Sequence, residues 1–143
     1  MTTETTPSDA EMMQAVADMQ PPFWGLIGGK LTHVSKERVC AEIVVTEAHG
    51  NRNGVMHGGA VMGFADNLGG TATFLNLPKG ARTTTIESKT NFFAAIEIGD
   101  TARADCTPLH RGRSTMVWQT RITRGDGKLA ALVTQTQMVI LKS

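Results

Sequence analysis

The sequence predicts an α+β fold, with one antiparallel β-sheet packed on a long glycine-rich helix and a short helix ahead of both. Three patterns point there. First, four strand-like segments, near 83–94, 100–109, 114–124 and 129–141, are joined by the turns Glu97-Ile98-Gly99-Asp100, His110-Arg111-Gly112-Arg113 and Arg124-Gly125-Asp126-Gly127. Period-two runs separated by short glycine-bearing turns read as antiparallel hairpins. Second, residues 38–46 alternate, with Val39, Ala41, Ile43 and Val45 on one face and Cys40, Glu42 and Thr46 on the other, Val44 being the apolar exception. Third, residues 57–76 lose period two, and Ala60, Phe64, Leu68, Thr71 and Leu75 fall on helical spacing.

Taken in order, a polar tail over residues 1–7 precedes a single domain over 8–143. Ser8-Asp9-Ala10-Glu11 has the form of a capping box. Met12, Ala15, Val16 and Met19 then make one apolar stripe, and Pro21-Pro22 ends the helix. Gly25 to His33 reads as a weak strand with a bend or bulge at Gly28-Gly29. After the alternating segment, Gly50, Asn51, Asn53 and Gly54 mark an ordered loop opened by His49, which reads as a solvated loop histidine. The long helix and the four strands follow.

Length and charge bound the function. The chain has 143 residues, enough to bury roughly 68–70% of its unfolded surface. Fourteen Lys and Arg against thirteen Asp and Glu argue against a nucleic-acid binder. No apolar run approaches a membrane span, and the acidic, polar first twenty residues do not resemble a signal peptide, so a cytoplasmic location is expected. Cys40 and Cys106 fit no metal or redox spacing and read as reduced, structural strand residues; no metal is expected.

The helix carries Gly58, Gly59, Gly63, Gly69 and Gly70. Each costs about 0.8–1 kcal/mol against Ala in a helix interior. Close approach to a sheet, a second helix or a ligand offsets such a cost. Gly58 and Gly59 also present backbone N–H groups at the helix start, where the dipole favours an anion or a developing oxyanion. Asp66 sits mid-helix among apolar neighbours; such a carboxylate is either solvated, a backbone cap, or useful. Eight residues separate Gly58 from Asp66, a rise of about 12 Å. Both can act on one carbonyl group only if Asp66 comes from a second copy whose helix runs antiparallel, which predicts an isologous dimer.

Asn51-Arg52-Asn53-Gly54-Val55-Met56-His57-Gly58-Gly59, followed by Asp66, resembles the hotdog-fold acyl-CoA thioesterases, and most the PaaI-like and thioesterase-superfamily-member-2 branch. Asn91-Phe92-Phe93-Ala94-Ala95-Ile96-Glu97-Ile98-Gly99-Asp100 resembles that family's N-F-x-x-P-A-x-x-G-D segment, with Ala95 for the usual Pro and Ile96 for the usual Ala. The similarity covers about residues 22–141. It implies a hotdog fold, a sheet wrapped round the long helix, dimers that join their sheets, and tetramers built from such dimers. It also implies roles: Gly58 N–H polarises the thioester carbonyl, and Asn51 holds that carbonyl or the attacking water. Asp66 of the partner chain serves as general base or nucleophile, and Thr85 orients the water. His57 is the motif histidine beside the thioester, and equally reads as a helix cap. Gly59, Met56, Met62, Phe64 and Phe93 are candidates for substrate contact, though apolar residues there also read as core. The basic turn Arg111-Gly112-Arg113-Ser114 either meets the phosphates of coenzyme A or is a solvated hairpin.

The resemblance thus implies hydrolysis of an aryl- or medium-chain acyl-CoA to free acid and coenzyme A, with no cofactor beyond the coenzyme A of the substrate. A non-catalytic acyl-CoA-binding or sensor module on the same fold is the alternative, but it has no need of Asp66 together with Asn51. Hydratases and dehydratases of acyl thioesters usually place a His and a carboxylate in motifs absent from this sequence.

Overall fold

A computed structural model describes residues 6–142; residues 1–5 of the expected tail lie outside the described residues. Helix α1 spans Asp9–Asp18, opened by the capping box of Ser8 and Glu11. Its apolar face differs from the expected stripe. Val16 is buried and Met13 packs on the core, while Met12, Ala15 and Met19 are exposed. The helix packs on β1, and Gln20, just past it, donates to Thr71 Oγ1 at 3.2 Å and accepts from Asn67 Nδ2 at 2.7 Å.

The weak strand expected from Gly25 is in its first part a helical turn, α2, over Pro22–Leu26. Pro22 stands at the first helical position, where its fixed φ is already helical and its missing N–H is not needed. Strand β1 begins at Lys30 and runs to Val34, and its bulge falls between Leu31 and His33 rather than at the glycines. Strand β2 is Val39–Val44, with Val39, Ala41 and Ile43 buried and Val44 exposed as its phase predicts. A short 3-10 turn, Glu47–His49, leads into the loop before α3, which spans Gly58–Asn76. The remaining strands are β3 Arg82–Phe92, β4 Thr101–Arg111, β5 Thr115–Thr123 and β6 Leu129–Ile140.

The six strands form one sheet in the order β1-β2-β4-β5-β6-β3, every pair antiparallel. The hairpin expected between the segments near 83–94 and 100–109 is absent: β3 pairs with β6 at the far edge, and β4 with β2 and β5. The connecting segment instead hooks onto the loop before α3, through the Val55–Glu97 bridge and a 2.7 Å bond from Met56 N–H to Ile96 O. Those contacts carry the chain across the start of α3. Helix α3 lies against β2, β3, β4, β5 and β6, so the sheet curves round it. Phe64, Ala65, Leu68 and Ala72 of α3 meet Ile43, Trp118, Ile122 and Val133 in the core, and Trp118 Nε1–H donates to Thr73 Oγ1 at 2.8 Å.

His49 is buried, not solvated. Its Nδ1 accepts from Thr46 N–H at 2.9 Å, and its Nε2 lies 2.7 Å from Ile27 O, so Nε2 carries the proton. The two cysteines sit in strands as free thiols, Cys106 buried and Cys40 half-buried. Burial pushes the Cys106 thiol up to about 12 and, with Asp105 beside it, the Cys40 thiol up to about 11. Neither is a nucleophile near neutral pH. Among the described residues, no helix is long and apolar enough to cross a membrane, and no cluster of three His, Cys, Asp or Glu is placed to hold a metal ion.

Candidate active site

Gly58 and Asn51 border one cavity of the chain and Asp66 and Thr85 another, while His57 borders a further one, shared with Asn51. The first, about 380 Å³, lies at the start of α3 and is bordered by Asn51, Met56, Gly58, Phe92 and Phe93. His57 caps α3: its Nδ1 accepts from Gly59 N–H at 2.8 Å. Gly59 N–H, one of the two donors expected to be free, is therefore spent within the chain. Gly58 N–H has no acceptor among the described residues. A Cβ at Gly58 would stand 3.3 Å from the Phe92 ring, so glycine lets that ring close over the helix start. One backbone donor at a helix N-terminus, beneath an aromatic cover, is suited to a developing oxyanion.

Asn51 shapes the same cavity through its loop. Its Oδ1 accepts from Asn53 N–H at 2.8 Å and Val55 N–H at 3.3 Å. The carbonyl half of the amide holds the turn, and the NH₂ half remains to donate.

The second cavity, about 340 Å³, is bordered by Asp66, Thr85, Gln137, Asn67, Val16 and Met19 among others. Asp66 is half-buried, and its Oδ1 accepts from Thr85 Oγ1–H at 2.6 Å. Gln135 Nε2 lies 3.3 Å from the same oxygen, and Gln137 Nε2 donates to Thr85 Oγ1 at 2.6 Å. Asp66 is thus neither simply solvated nor a backbone cap. The fold brings Asp66 and Thr85 of one chain together. The glutamines were missed. Their signal was visible: Gln135 and Gln137 share the inward phase of β6 with Ala131, Val133 and Val139.

The two cavities share no lining residue, so one chain does not bring Asp66 and Thr85 to Gly58 and Asn51. Met62 is exposed and borders neither cavity, and Phe64 is fully buried core, stacked on Trp24 with ring centroids 5.9 Å apart. The turn Arg111–Ser114 lies at the opposite end of α3, and Arg111, Gly112 and Arg113 border a separate cavity with Asn76 and Pro78. Arg111 Nη1 is already bonded to Lys36 O at 3.3 Å and stands 3.8 Å from Glu37 Oε1; Arg113 is exposed.

Residues 53–131 match the thioesterase superfamily. The 1,4-dihydroxy-2-naphthoyl-CoA hydrolase of Escherichia coli is 27% identical over 105 residues, which cover 73% of this chain and 76% of that protein. The crystal structure of a single-site mutant of a Pseudomonas aeruginosa thioesterase superposes with a TM-score of 0.82 at 25% identity, covering 96% of each chain. The PaaI protein of the E. coli phenylacetic acid degradation operon superposes equally well, with a TM-score of 0.82 over 94% of this chain and 96% of that one. At 19% identity, that likeness is one of fold.

Proposed function

The chain belongs to the thioesterase superfamily and has its hotdog fold, and from that premise we propose that it hydrolyses the thioester of an aryl- or medium-chain acyl-coenzyme A. The observation that carries the reading is the division of the site. Asn51 and Gly58 border one cavity, and Asp66 and Thr85 border another with no residue in common. Each chain holds both halves, and two copies with antiparallel α3 helices complete two sites. The edge of β3 favours such pairing: eleven residues long, it meets β6 on one side and no strand on the other among the described residues. An unpaired edge of that length is a template for a second copy.

In the shared site, Gly58 N–H polarises the thioester oxygen and Asn51 Nδ2 donates to that oxygen or to the water. Water, held at Thr85 and Asp66 of the partner subunit, attacks the carbonyl carbon and gives a proton to the carboxylate. The tetrahedral oxyanion rests on Gly58 N–H. On collapse the C–S bond breaks, and the proton passes from Asp66 to the leaving sulfur. The products are the free acid and coenzyme A as its thiol. These steps call for no metal and no separate cofactor.

The same antiparallel register assigns a use to the basic turn. With the partner's Asp66 level with Gly58, the far end of the partner's α3 lies about 15 Å beyond Gly58 along the axis. The partner's Arg111–Ser114 turn lies at that end, and its exposed Arg113 is suited to a coenzyme A phosphate.

A thiol-release assay on aryl-, short- and long-chain acyl-CoAs tests the reading, with Asp66→Asn alongside. Wild-type turnover lost in Asp66→Asn is the expected result. Acyl-CoA binding without turnover on any substrate returns the sensor reading, and full rate in Asp66→Asn refutes the base. Sedimentation of an active monomer refutes the shared site.

A further inference from the structure

We propose that Gln137 and Gln135 are positioning residues that fix the order of protons around Asp66 and leave its Oδ2 as the oxygen that takes the proton from water. The inference rests on the reading of Asp66 as the base. Both glutamines are 1% exposed, and a buried amide is costly unless its hydrogen bonds are met.

Their bonds have only one consistent direction. Thr85 carries a single hydroxyl proton, and an ionised carboxylate can only accept. The 2.6 Å contact between Thr85 Oγ1 and Asp66 Oδ1 therefore takes that proton. Thr85 Oγ1 must then accept along its other 2.6 Å contact, so Gln137 presents Nε2. Its Oε1 points the other way and lies 3.0 Å from Thr83 Oγ1, whose single proton it shares with Met138 O at 2.9 Å; the sense of the amide is set at Thr85. Gln135 is fixed by the same logic. Its amide meets two acceptors of Asp66, the main-chain O at 3.4 Å and Oδ1 at 3.3 Å, so it too presents Nε2. It has no room to turn away, because it packs where a Cβ on Gly69 would stand. Its Oε1 has no partner among the described residues.

Two donors therefore fall on Oδ1 and none, among the described residues, on Oδ2. The donors occupy lone pairs of Oδ1 and leave those of Oδ2 open to a water proton. Thr85 Oγ1 has spent its proton and keeps one lone pair. A water beside the pair then gives one hydrogen to Asp66 Oδ2 and the other to Thr85 Oγ1, and its own lone pair faces the carbonyl carbon. Thr85 orients the water by accepting from it, and Gln137 obliges it to do so.

The test is steady-state kinetics on the best acyl-CoA for wild type, Gln137→Glu, Gln137→Met, Thr85→Val, the Gln137→Met/Thr85→Val double variant and Asp66→Asn. Gln137→Glu has the same shape but offers Thr85 an acceptor, which draws the hydroxyl proton off Asp66. Its kcat is expected to fall about ten- to a hundredfold, with KM changed by less than about twofold. Gln137→Met removes the donor, and the double variant should be no slower than Thr85→Val alone, a non-additivity that a packing role would not produce. Wild-type kcat in Gln137→Glu, a change in KM alone, or multiplicative losses in the double variant would overturn the proposal. If Gln137→Glu does not fold, Gln137→Met and the double variant carry the same test. Full rate in Asp66→Asn overturns the base reading and this inference together. Loss in Asp66→Asn with wild-type kcat in the Gln137 variants overturns this inference alone.

Discussion

Gly69 and Gly70 are neighbours in α3, yet alanine at the two positions should move stability in opposite directions. A methyl at Gly70 meets nothing within 4 Å, and one at Gly69 overlaps the Gln135 amide. Alanine in a helix interior is favoured over glycine by about 0.8–1 kcal/mol, so Gly70→Ala should stabilise by about that much. For a chain of this length the gain raises Tm by about 2–4 °C. Gly69→Ala has the same propensity gain, but Gln135 must move, and being 1% exposed it has no vacant space to enter. Its bonds to Asp66 at 3.3 and 3.4 Å are then lost. A hydrogen bond to a charged group is worth about 1.5–3 kcal/mol, so the net effect is a loss of about 0.5–2 kcal/mol. Propensity cancels between the two variants, and the difference isolates the Gln135 contact at about 1.5–3 kcal/mol. Denaturant unfolding of both variants, with m-values compared, measures it. Equal responses would refute the claim that Gly69 is glycine because Gln135 occupies the space above it.

Two further predictions concern the wall of the Asp66 cavity and the strand thiols. Val16 and Met19 border the Asp66 cavity; with the acyl chain seated in that cavity, Val16→Ala and Met19→Ala should shift kcat/KM towards bulkier acyl groups, by about tenfold for one added methylene accommodated, in a thiol-release panel, whereas unchanged selectivity would place the acyl chain elsewhere. The thiols of Cys106 and Cys40 are raised by burial to about 12 and about 11, and the sign of the pH effect follows. Below the ordinary thiol value of about 8.5 both states keep their protons and the contribution is complete. Above it the unfolded chain loses protons first, so stability should fall as pH rises from about 8.5 towards 11. Cys106→Ala should flatten that slope in chemical denaturation, whatever it does to stability at pH 7.

Local patterns made most of the elements legible, and each failure has a nonlocal cause. The phase of β2, β4 and β5 can be read residue by residue because one face of each strand meets the same helix. The edge position of β3 cannot. Glu97-Ile98-Gly99-Asp100 has the composition of a hairpin turn, but Val55 and Met56, some forty residues earlier, bond to Glu97 and Ile96 and redirect the chain. His49 fails in the same way. Its sequence neighbours are those of a wet loop, and its burial depends on Ile27 O, brought to 2.7 Å by the fold. In α1 the helical period was legible but not the buried face, because its packing on β1 and the core, with Gln20 bonded to Asn67 and Thr71, is tertiary.

The site divides along the same line. Gly58 and Asp66 announce themselves as a costly glycine and a misplaced carboxylate, each anomalous in its own segment. Gln135 and Gln137 are anomalous only against a phase. Within β6, Ala131, Val133 and Val139 set the inward side, and two amides on that side must have partners or be expensive. Their register explains why they act together. Gln137 is the Cα partner of Thr85 across β3 and β6, and Gln135, two residues earlier in β6, lies on the same face because side chains alternate along a strand. One therefore reaches Thr85 and the other Asp66. Asp66 comes to that face from α3, so the pair that the two amides serve is assembled from a helix and two strands and is invisible to any one segment.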